Sequence, residues 1–239
     1  MKLDILAFGA HPDDVELACS GTMILNAKMG LKTGIIDLSL GELGTRGDAK
    51  TRTIEAENAK QILGLQVREN LHFHDGFIVN DKESRLAVLR KIRIYQPNII
   101  LCNAVSDRHP DHAAASKLVS DAIFLAGLLK LIVTDENKND LAPWKTPHVY
   151  HYIQDRYIKP DFIIDVSSVW EERMNAVMAY SSQFYNPDSK EAITAISSKD
   201  FLDFLPARAR EMGRQANVSY AEGFTVERTP VISSLLDLL

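Results

Sequence analysis

Almost continuously apolar runs alternate with longer mixed stretches along the first half of the chain. Residues 3–10 and 98–103 are nearly all apolar, which is typical of strands buried on both faces of a parallel sheet. The stretches 13–29 and 52–63 predict helices, since a glycine, a frequent helix terminator, follows each of them. The pattern therefore predicts strands that alternate with helices.

The remaining predicted elements extend this rhythm. We expect further strands at 33–38, 69–73, 148–153 and 162–165, and further helices at 82–95, 110–127, 169–179 and 201–213. This order predicts an α/β fold: a Rossmann-like, doubly wound, mostly parallel sheet with helices on both faces. Nothing in the sequence divides the chain, so we expect a single domain, 1–239. The polar stretch 184–199 is a candidate mobile flap, and the tail 220–239 carries no strong signal beyond Glu222-Gly223-Phe224.

Composition narrows the possible partners. Of 239 residues, 46% are hydrophobic and 25% charged, the formal net charge is -5, and the isoelectric point is about 5.8. Nucleic acids and anionic membranes select basic surfaces, so neither is an expected partner. The longest apolar stretch, 122–133, is too short to span a bilayer. Cys19 and Cys102 fall in predicted elements, and no signal-peptide pattern precedes the first strand. Both features predict a cytoplasmic protein.

The first cluster of residues suited to catalysis or metal binding is His11-Pro12-Asp13-Asp14, directly after the first strand. Proline is tolerated at a helix start, and acidic residues suit the first turn, so a purely structural interpretation exists. That interpretation does not explain an imidazole beside two carboxylates. Zinc accepts both donor types, and Asp13 could then accept a proton from water at the open coordination position.

The second cluster is His109-Pro110-Asp111-His112, shortly after the strand at 98–103. Proline holds His109 extended, while His112 falls in the first helical turn. One histidine can be a metal ligand and the other a general acid or oxyanion partner, with Asp111 as its orienting group. Because ligands of open α/β sheets bind at the carboxyl edge, we expect both clusters to meet there.

Other candidate residues support simpler interpretations. His72 and His74 are interpreted as strand-end histidines, and His148 and His151 as structural or surface residues. Cys19 is interpreted as a small buried apolar side chain.

Taken together, the two clusters resemble those of the LmbE-like (PIG-L) zinc deacetylases, which remove the acetyl group from N-acetylglucosamine conjugates. The resemblance covers most of the chain and includes Gly41-Glu42-Leu43-Gly44, Arg52 with Glu55, Asp75-Gly76 and Tyr220-Ala221-Glu222-Gly223-Phe224. Within the family, Asp107-Arg108 and Ser182-Gln183-Phe184 resemble the deacetylases of bacillithiol biosynthesis. Those enzymes act on the N-acetylglucosaminyl conjugate of malate.

The resemblance assigns roles to individual residues. It implies one zinc ion per chain held by His11, Asp14 and His112, with Asp13 as the general base. His109, oriented by Asp111, would stabilise the oxyanion or protonate the leaving amine. Substrate contacts would come from Arg52, Asp75 and Arg108. It also implies a homo-oligomer, with a hexamer among the possibilities.

Two departures from the family pattern and several alternatives accompany this resemblance. Ser20-Gly21 stands where relatives often have two glycines, and Phe201 stands near where some relatives bring a tyrosine to the oxyanion, with Tyr185 as a possible substitute. Another divalent metal, or another N-acetylglucosaminyl or thiol conjugate as substrate, would use the same residues. A non-catalytic sugar-binding module is the alternative from a different class. A nucleotide-binding Rossmann domain is disfavoured, because Gly9-Ala10-His11-Pro12 lacks the glycine-rich turn.

Overall fold

The computed structural model describes residues 1–238, in which strands and helices alternate through the first half of the chain. In chain order the elements are β1 (Ile5–Gly9), α1 (Asp14–Lys28), β2 (Thr33–Ser39), α2 (Ala49–Leu63), β3 (Val67–Phe73), α3 (Lys82–Tyr95), β4 (Ile99–Cys102), α4 (Pro110–Ala126), β5 (His148–Tyr152), β6 (Phe162–Asp165), α5 (Trp170–Met178), α6 (Lys199–Arg214) and β7 (Ala221–Val226).

The strands form one seven-stranded sheet in the order β3-β2-β1-β4-β5-β7-β6. Neighbouring strands from β3 to β5 are parallel, whereas β7 runs antiparallel to both β5 and β6. The predicted α/β fold with a mostly parallel sheet is confirmed. Residues 221–226, where no strand was expected, form the strand that joins β5 to β6.

The sheet separates two apolar cores, and β1 shows how the sequence builds them. Leu6 and Phe8 pack with α3 and α4 on one face, while Ile5 and Ala7 pack with α1 and α5 on the other. Successive side chains of a strand point to opposite faces, so a strand that is covered twice must be apolar at every position. Fully burying one leucine or phenylalanine contributes about 1.5–3 kcal/mol.

Helix α1 is broken at Cys19, whose backbone leaves the helical region at φ -146°. The break leaves main-chain N–H groups without helical partners. The carboxylate of Glu222, a residue of β7, accepts hydrogen bonds from them. Its oxygens lie 2.9 Å from the nitrogen of Gly21 and 2.7 Å from that of Thr22. A side chain at Gly21 would collide with Val166, since a Cβ there would lie 2.7 Å from two of its carbons. The antiparallel part of the sheet thus holds the helix that leads out of the first cluster.

Among the described residues, no helix combines the length and apolar character needed to cross a membrane. Both cysteines are buried and free, as expected for Cys19.

Candidate metal centre and catalytic site

The two sequence clusters meet at the carboxyl edge of the sheet because β1 and β4 are parallel neighbours. A cavity of about 370 Å³ opens there. Its lining includes His11, Asp13, Asp14, Arg52, Asp75, Arg108, His109 and His112. The remaining candidate, Asp111, lies behind His11, with a carboxylate oxygen 3.3 Å from His11 Nε2.

Asp13 occupies the residue before α1 and not its first turn, which differs from the sequence expectation. Its backbone is left-handed, with φ 110°, an uncommon conformation for a residue that carries a side chain. The Arg52 guanidinium holds the turn, since it donates to the Pro12 carbonyl and, at 2.9 Å, to Asp13 Oδ2. Burial raises the pKa of Asp13 to about 7, although the positive charge of Arg52 opposes the shift.

Asp14 is the most densely bonded carboxylate of the site. One oxygen lies 3.1 Å from His112 Nε2, and the other lies 3.6 Å from His11 Nδ1. The Asn103 amide donates to Oδ2 of Asp14 and the Gln154 amide donates to Oδ1, each at 3.0 Å. Burial alone would raise the pKa of Asp14, but His112 and His11 hold it well below its usual value.

His11 stands between three carboxylates. Its Nε2 atom lies 3.0 Å from Asp75 and 3.3 Å from Asp111, while Nδ1 faces Asp14. Burial opposes protonation, yet hydrogen bonds to these three carboxylates, Asp111 first, raise the pKa of His11 well above its usual value.

The two histidines of the second cluster have different environments. His112 Nδ1 lies 2.5 Å from Asp107, and the Asp14 charge overcomes burial to raise the pKa of His112 to about 9. His109 precedes α4, and its Nδ1 accepts the main-chain N–H of Asp111 at 3.3 Å. Burial and then the charges of His11 and His112 lower the pKa of His109.

Asp111 does not orient the His109 ring through its carboxylate, contrary to the sequence-based expectation. That carboxylate accepts the main-chain N–H groups of Gly76 and Ile78 and faces His11. The reason is the position of Asp111 in the first turn of α4, where its side chain turns toward the loop after β3.

The donor set suits a metal ion such as zinc, which takes imidazole nitrogen and carboxylate oxygen. Within the described residues, His11, His109 and His112 offer one atom each within 4.8 Å of one another, and so do His11, Asp75 and Asp111. Asp14 adds a carboxylate between His11 and His112. The centre therefore has more donors than the three protein ligands that an open zinc site needs.

The three candidate substrate residues differ in how free they are. Arg52 is committed to Asp13 and Pro12, although its buried Nε has no partner among the described residues. Asp75 accepts the Leu43 N–H at 2.9 Å in addition to its contact with His11. Arg108 is half exposed and pairs only loosely with Asp155, at 3.3 Å, so its guanidinium is the most available of the three.

Several residues around the site were not expected from the sequence. Asn103 and Gln154 follow β4 and β5, and their positions just after strands at the carboxyl edge were the available signal. Residues 194–196 wall the cavity, so the segment interpreted as a candidate flap borders the site. Over residues 1–238, no tyrosine is part of the cavity lining, and Tyr185 lies outside it. His72 and His74 are exposed and also lie outside it.

His151 has a structural environment, as expected from the sequence. It is buried, with Nδ1 3.0 Å from the Asn103 carbonyl and Nε2 3.1 Å from Glu227.

Comparison with known proteins identifies the family. A family model described as PIG-L, GlcNAc-PI de-N-acetylase, matches residues 6–123. The solved structure of the conserved protein TT1542 from Thermus thermophilus is 35% identical, with 98% of each chain covered and a TM-score of 0.85. The residues that match the family model include both acid–histidine clusters, which meet at the carboxyl edge of the sheet. The protein belongs to the PIG-L family.

Two relatives with similar identity to this chain are named for different activities. The diacetylchitobiose deacetylase of Thermococcus kodakarensis is 29% identical over 230 residues, which cover 92% of this chain and 81% of the relative. The 4-oxalmesaconate hydratase of Pseudomonas putida is 26% identical over 238 residues, which cover 91% of this chain and 86% of the relative.

Proposed function

We propose that this protein is a zinc-dependent N-deacetylase that hydrolyses the acetamide of an N-acetylglucosaminyl conjugate. One observation carries the proposal: a buried carboxylate, Asp13, faces the same 370 Å³ cavity as the donors His11, Asp14 and His112. A cavity of this volume is within the range that holds a small ligand such as a sugar. N-acetylglucosaminyl malate is the substrate that we propose first.

We assign His11, Asp14 and His112 as the metal ligands. Asp14 already bridges the two imidazoles, at 3.1 and 3.6 Å, and all three side chains are buried. His109 is the weaker candidate, because its Nδ1 accepts a main-chain N–H and its neutral ring then carries the proton on Nε2. When bound, zinc supplies Lewis-acid activation of water and of the acetamide carbonyl.

Asp13 is the proposed general base, and its neighbours explain how it is held. The ion pair with Arg52 at 2.9 Å fixes the carboxylate beside the ligands, so it can accept a proton from the attacking water. Attack on the carbonyl carbon followed by cleavage of the C–N bond yields acetate and the free amine. The proton passes to the amine nitrogen.

His109 is the proposed partner of the developing oxyanion. With Nδ1 occupied by the Asp111 N–H, the Nε2–H of the neutral ring is free to donate. The low pKa of His109 favours this neutral form. Removal of one such donor typically costs about 3–4 kcal/mol of transition-state stabilisation.

The relatives support deacetylation, and they also define a competing reaction. The Thermococcus protein is named a diacetylchitobiose deacetylase, and the family description is a de-N-acetylase. The Pseudomonas relative is named a hydratase.

Arg108, half exposed at the cavity, is the residue that we propose for the malate carboxylates. Two buried free thiols suit a reducing cytoplasm, where we place the reaction.

The test measures acetate and free amine released from N-acetylglucosaminyl malate by the zinc-loaded protein, with free N-acetylglucosamine in parallel. We expect both products in equal amounts and faster turnover of the malate conjugate. Turnover of free N-acetylglucosamine alone would contradict the malate assignment. Release of neither acetate nor amine from any acetamide sugar conjugate would exclude deacetylation, since hydration gives neither product.

A further inference from the structure

We propose that Asn103 and Gln154 are positioning residues whose side-chain amides clamp the Asp14 carboxylate in the orientation that a metal ligand requires. The inference rests on the proposed function, in which Asp14 is one of the ligands. Neither amide lines the cavity, so both act through Asp14 and not on the substrate.

Both carboxylate oxygens of Asp14 are fixed by protein donors. Gln154 Nε2 donates to Oδ1 at 3.0 Å, and Asn103 Nδ2 donates to Oδ2 at 3.0 Å. The main-chain N–H of His11 also donates to Oδ2, at 3.0 Å. The plane of the carboxylate is therefore set by groups other than the imidazoles that would share the metal ion with it.

Main-chain groups determine which way each amide points. The Gln154 oxygen accepts the N–H of Ala104 at 3.1 Å, and the Asn103 oxygen accepts the N–H of Ala10 at 3.0 Å. A main-chain N–H can only donate, so each amide oxygen must face it and each NH₂ group must face Asp14. The second Asn103 proton goes to the Gln154 oxygen, at 3.0 Å.

The clamp is buried and joins three strand ends. Asn103 is fully buried, Gln154 is 6% exposed and Asp14 is 3% exposed. Ala10 follows β1, Asn103 follows β4, and Gln154 lies shortly after β5. A buried polar network in which every member has a partner is rigid, whereas one lost donor leaves its acceptor unpaired. Outer partners of metal ligands of this kind typically contribute about 10–100-fold to metal affinity.

Two substitutions of Gln154 test the clamp. Gln154→Glu keeps the shape but places an oxygen against Asp14, and Gln154→Met removes the donor without adding charge. We expect Zn²⁺ affinity to fall about 100-fold in the first and about 10-fold in the second. The measurement is a Zn²⁺ titration of the purified full chain in competition with a chelating indicator. Turnover should recover when Zn²⁺ exceeds the new dissociation constant.

Tyr152→Phe is the matched control. The Tyr152 hydroxyl, also buried and on β5, donates to the Phe8 carbonyl at 2.8 Å, so its hydrogen bond does not involve Asp14. We expect this variant to unfold at a lower temperature and to bind Zn²⁺ as the wild type does. A purely structural role for Gln154 would give the same result in its variants.

Asp14→Ala separates failure of the clamp from failure of the proposed function. If Asp14→Ala loses Zn²⁺ while both Gln154 variants bind it with wild-type affinity, the clamp is overturned and the ligand assignment stands. If Asp14→Ala binds Zn²⁺ as tightly as the wild type, the ligand assignment is overturned and the clamp with it.

Discussion

The two halves of the sheet contribute different things to the site. Strands β1, β2 and β4 are parallel and almost wholly buried, and the segments after β1 and β4 carry the acid–histidine clusters. In the other half, β5 and β6 are partly exposed, β7 is buried over its first four residues, and both antiparallel pairings occur. The segments after β1 and β4 supply the reactive groups, and the other half adds supporting groups, such as Gln154 beside Asp14 and Glu222 at the break of α1.

This division teaches that reactivity and support can be perturbed separately. Asp13 and His112 face the cavity, so their replacement should change metal binding or turnover more than folding. Glu222 binds the broken helix α1 from β7, so its replacement should change folding more than turnover.

The largest expected effect comes from Asp13→Asn in the first half. An asparagine keeps the size of the side chain and can still accept from Arg52, but it cannot take up a proton from water. We expect turnover of the acetamide substrate to fall by about 10²–10⁴-fold with the metal retained. Steady-state turnover and bound zinc per chain are the measurements.

His112→Ala is the contrasting variant in the same half. It removes an imidazole whose Nε2 lies 3.1 Å from Asp14, so we expect loss of the metal itself. Full activity of Asp13→Asn would refute the base assignment, and retained zinc in His112→Ala would refute the ligand assignment.

The same division explains what could be predicted from the sequence. Strands buried on both faces leave continuous apolar runs, and clusters such as His11-Pro12-Asp13-Asp14 stand beside them, so the fold and the meeting of the clusters were predictable. Strand β7 was missed because Glu222 and Gly223 interrupt its apolar pattern. Glu222 is explained by the helix break that it binds, some 200 residues away in sequence.

Side-chain pairings within the site were also beyond the sequence. Asp111 is two residues from His109, which suggested that it orients that ring, yet its carboxylate faces His11 across the sheet edge. Arg52, a candidate substrate contact that lines the cavity, is also paired with the Asp13 carboxylate. Such pairings depend on how separate loops meet, which local patterns do not encode.

The next effect concerns the second half. Glu222→Ala would leave the N–H groups of Gly21 and Thr22 unpaired. It would also remove the carboxylate that lies 3.7 Å from Nε of the buried Arg173. We expect the free energy of unfolding to fall by about 3–5 kcal/mol, the typical cost of removing one partner of a buried charged pair. Urea denaturation measures it.

Glu222→Gln is the control for this variant, because it keeps the shape and one acceptor oxygen. We expect an intermediate loss of stability, and turnover per folded molecule that changes less than it does in Asp13→Asn. If Glu222→Ala lowered turnover as strongly as Asp13→Asn without loss of stability, the separation of reactivity from support would fail.

The smallest expected effect tests whether burial is what makes Glu222 important. Lys28 and Glu172 form a second link to α1, in this case from α5, with Nζ and Oε1 2.6 Å apart, but their side chains are 52% and 44% exposed. Exposed ion pairs typically contribute about 0–1 kcal/mol, and salt screens them. Lys28→Ala should therefore lower the free energy of unfolding by less than about 1 kcal/mol in urea denaturation at low salt. The difference should shrink at high salt, because mobile ions screen both charges. If Lys28→Ala lowered the free energy of unfolding as much as Glu222→Ala, burial of the carboxylate would not explain the importance of Glu222. Contact with α1 alone would then determine how much each interaction contributes.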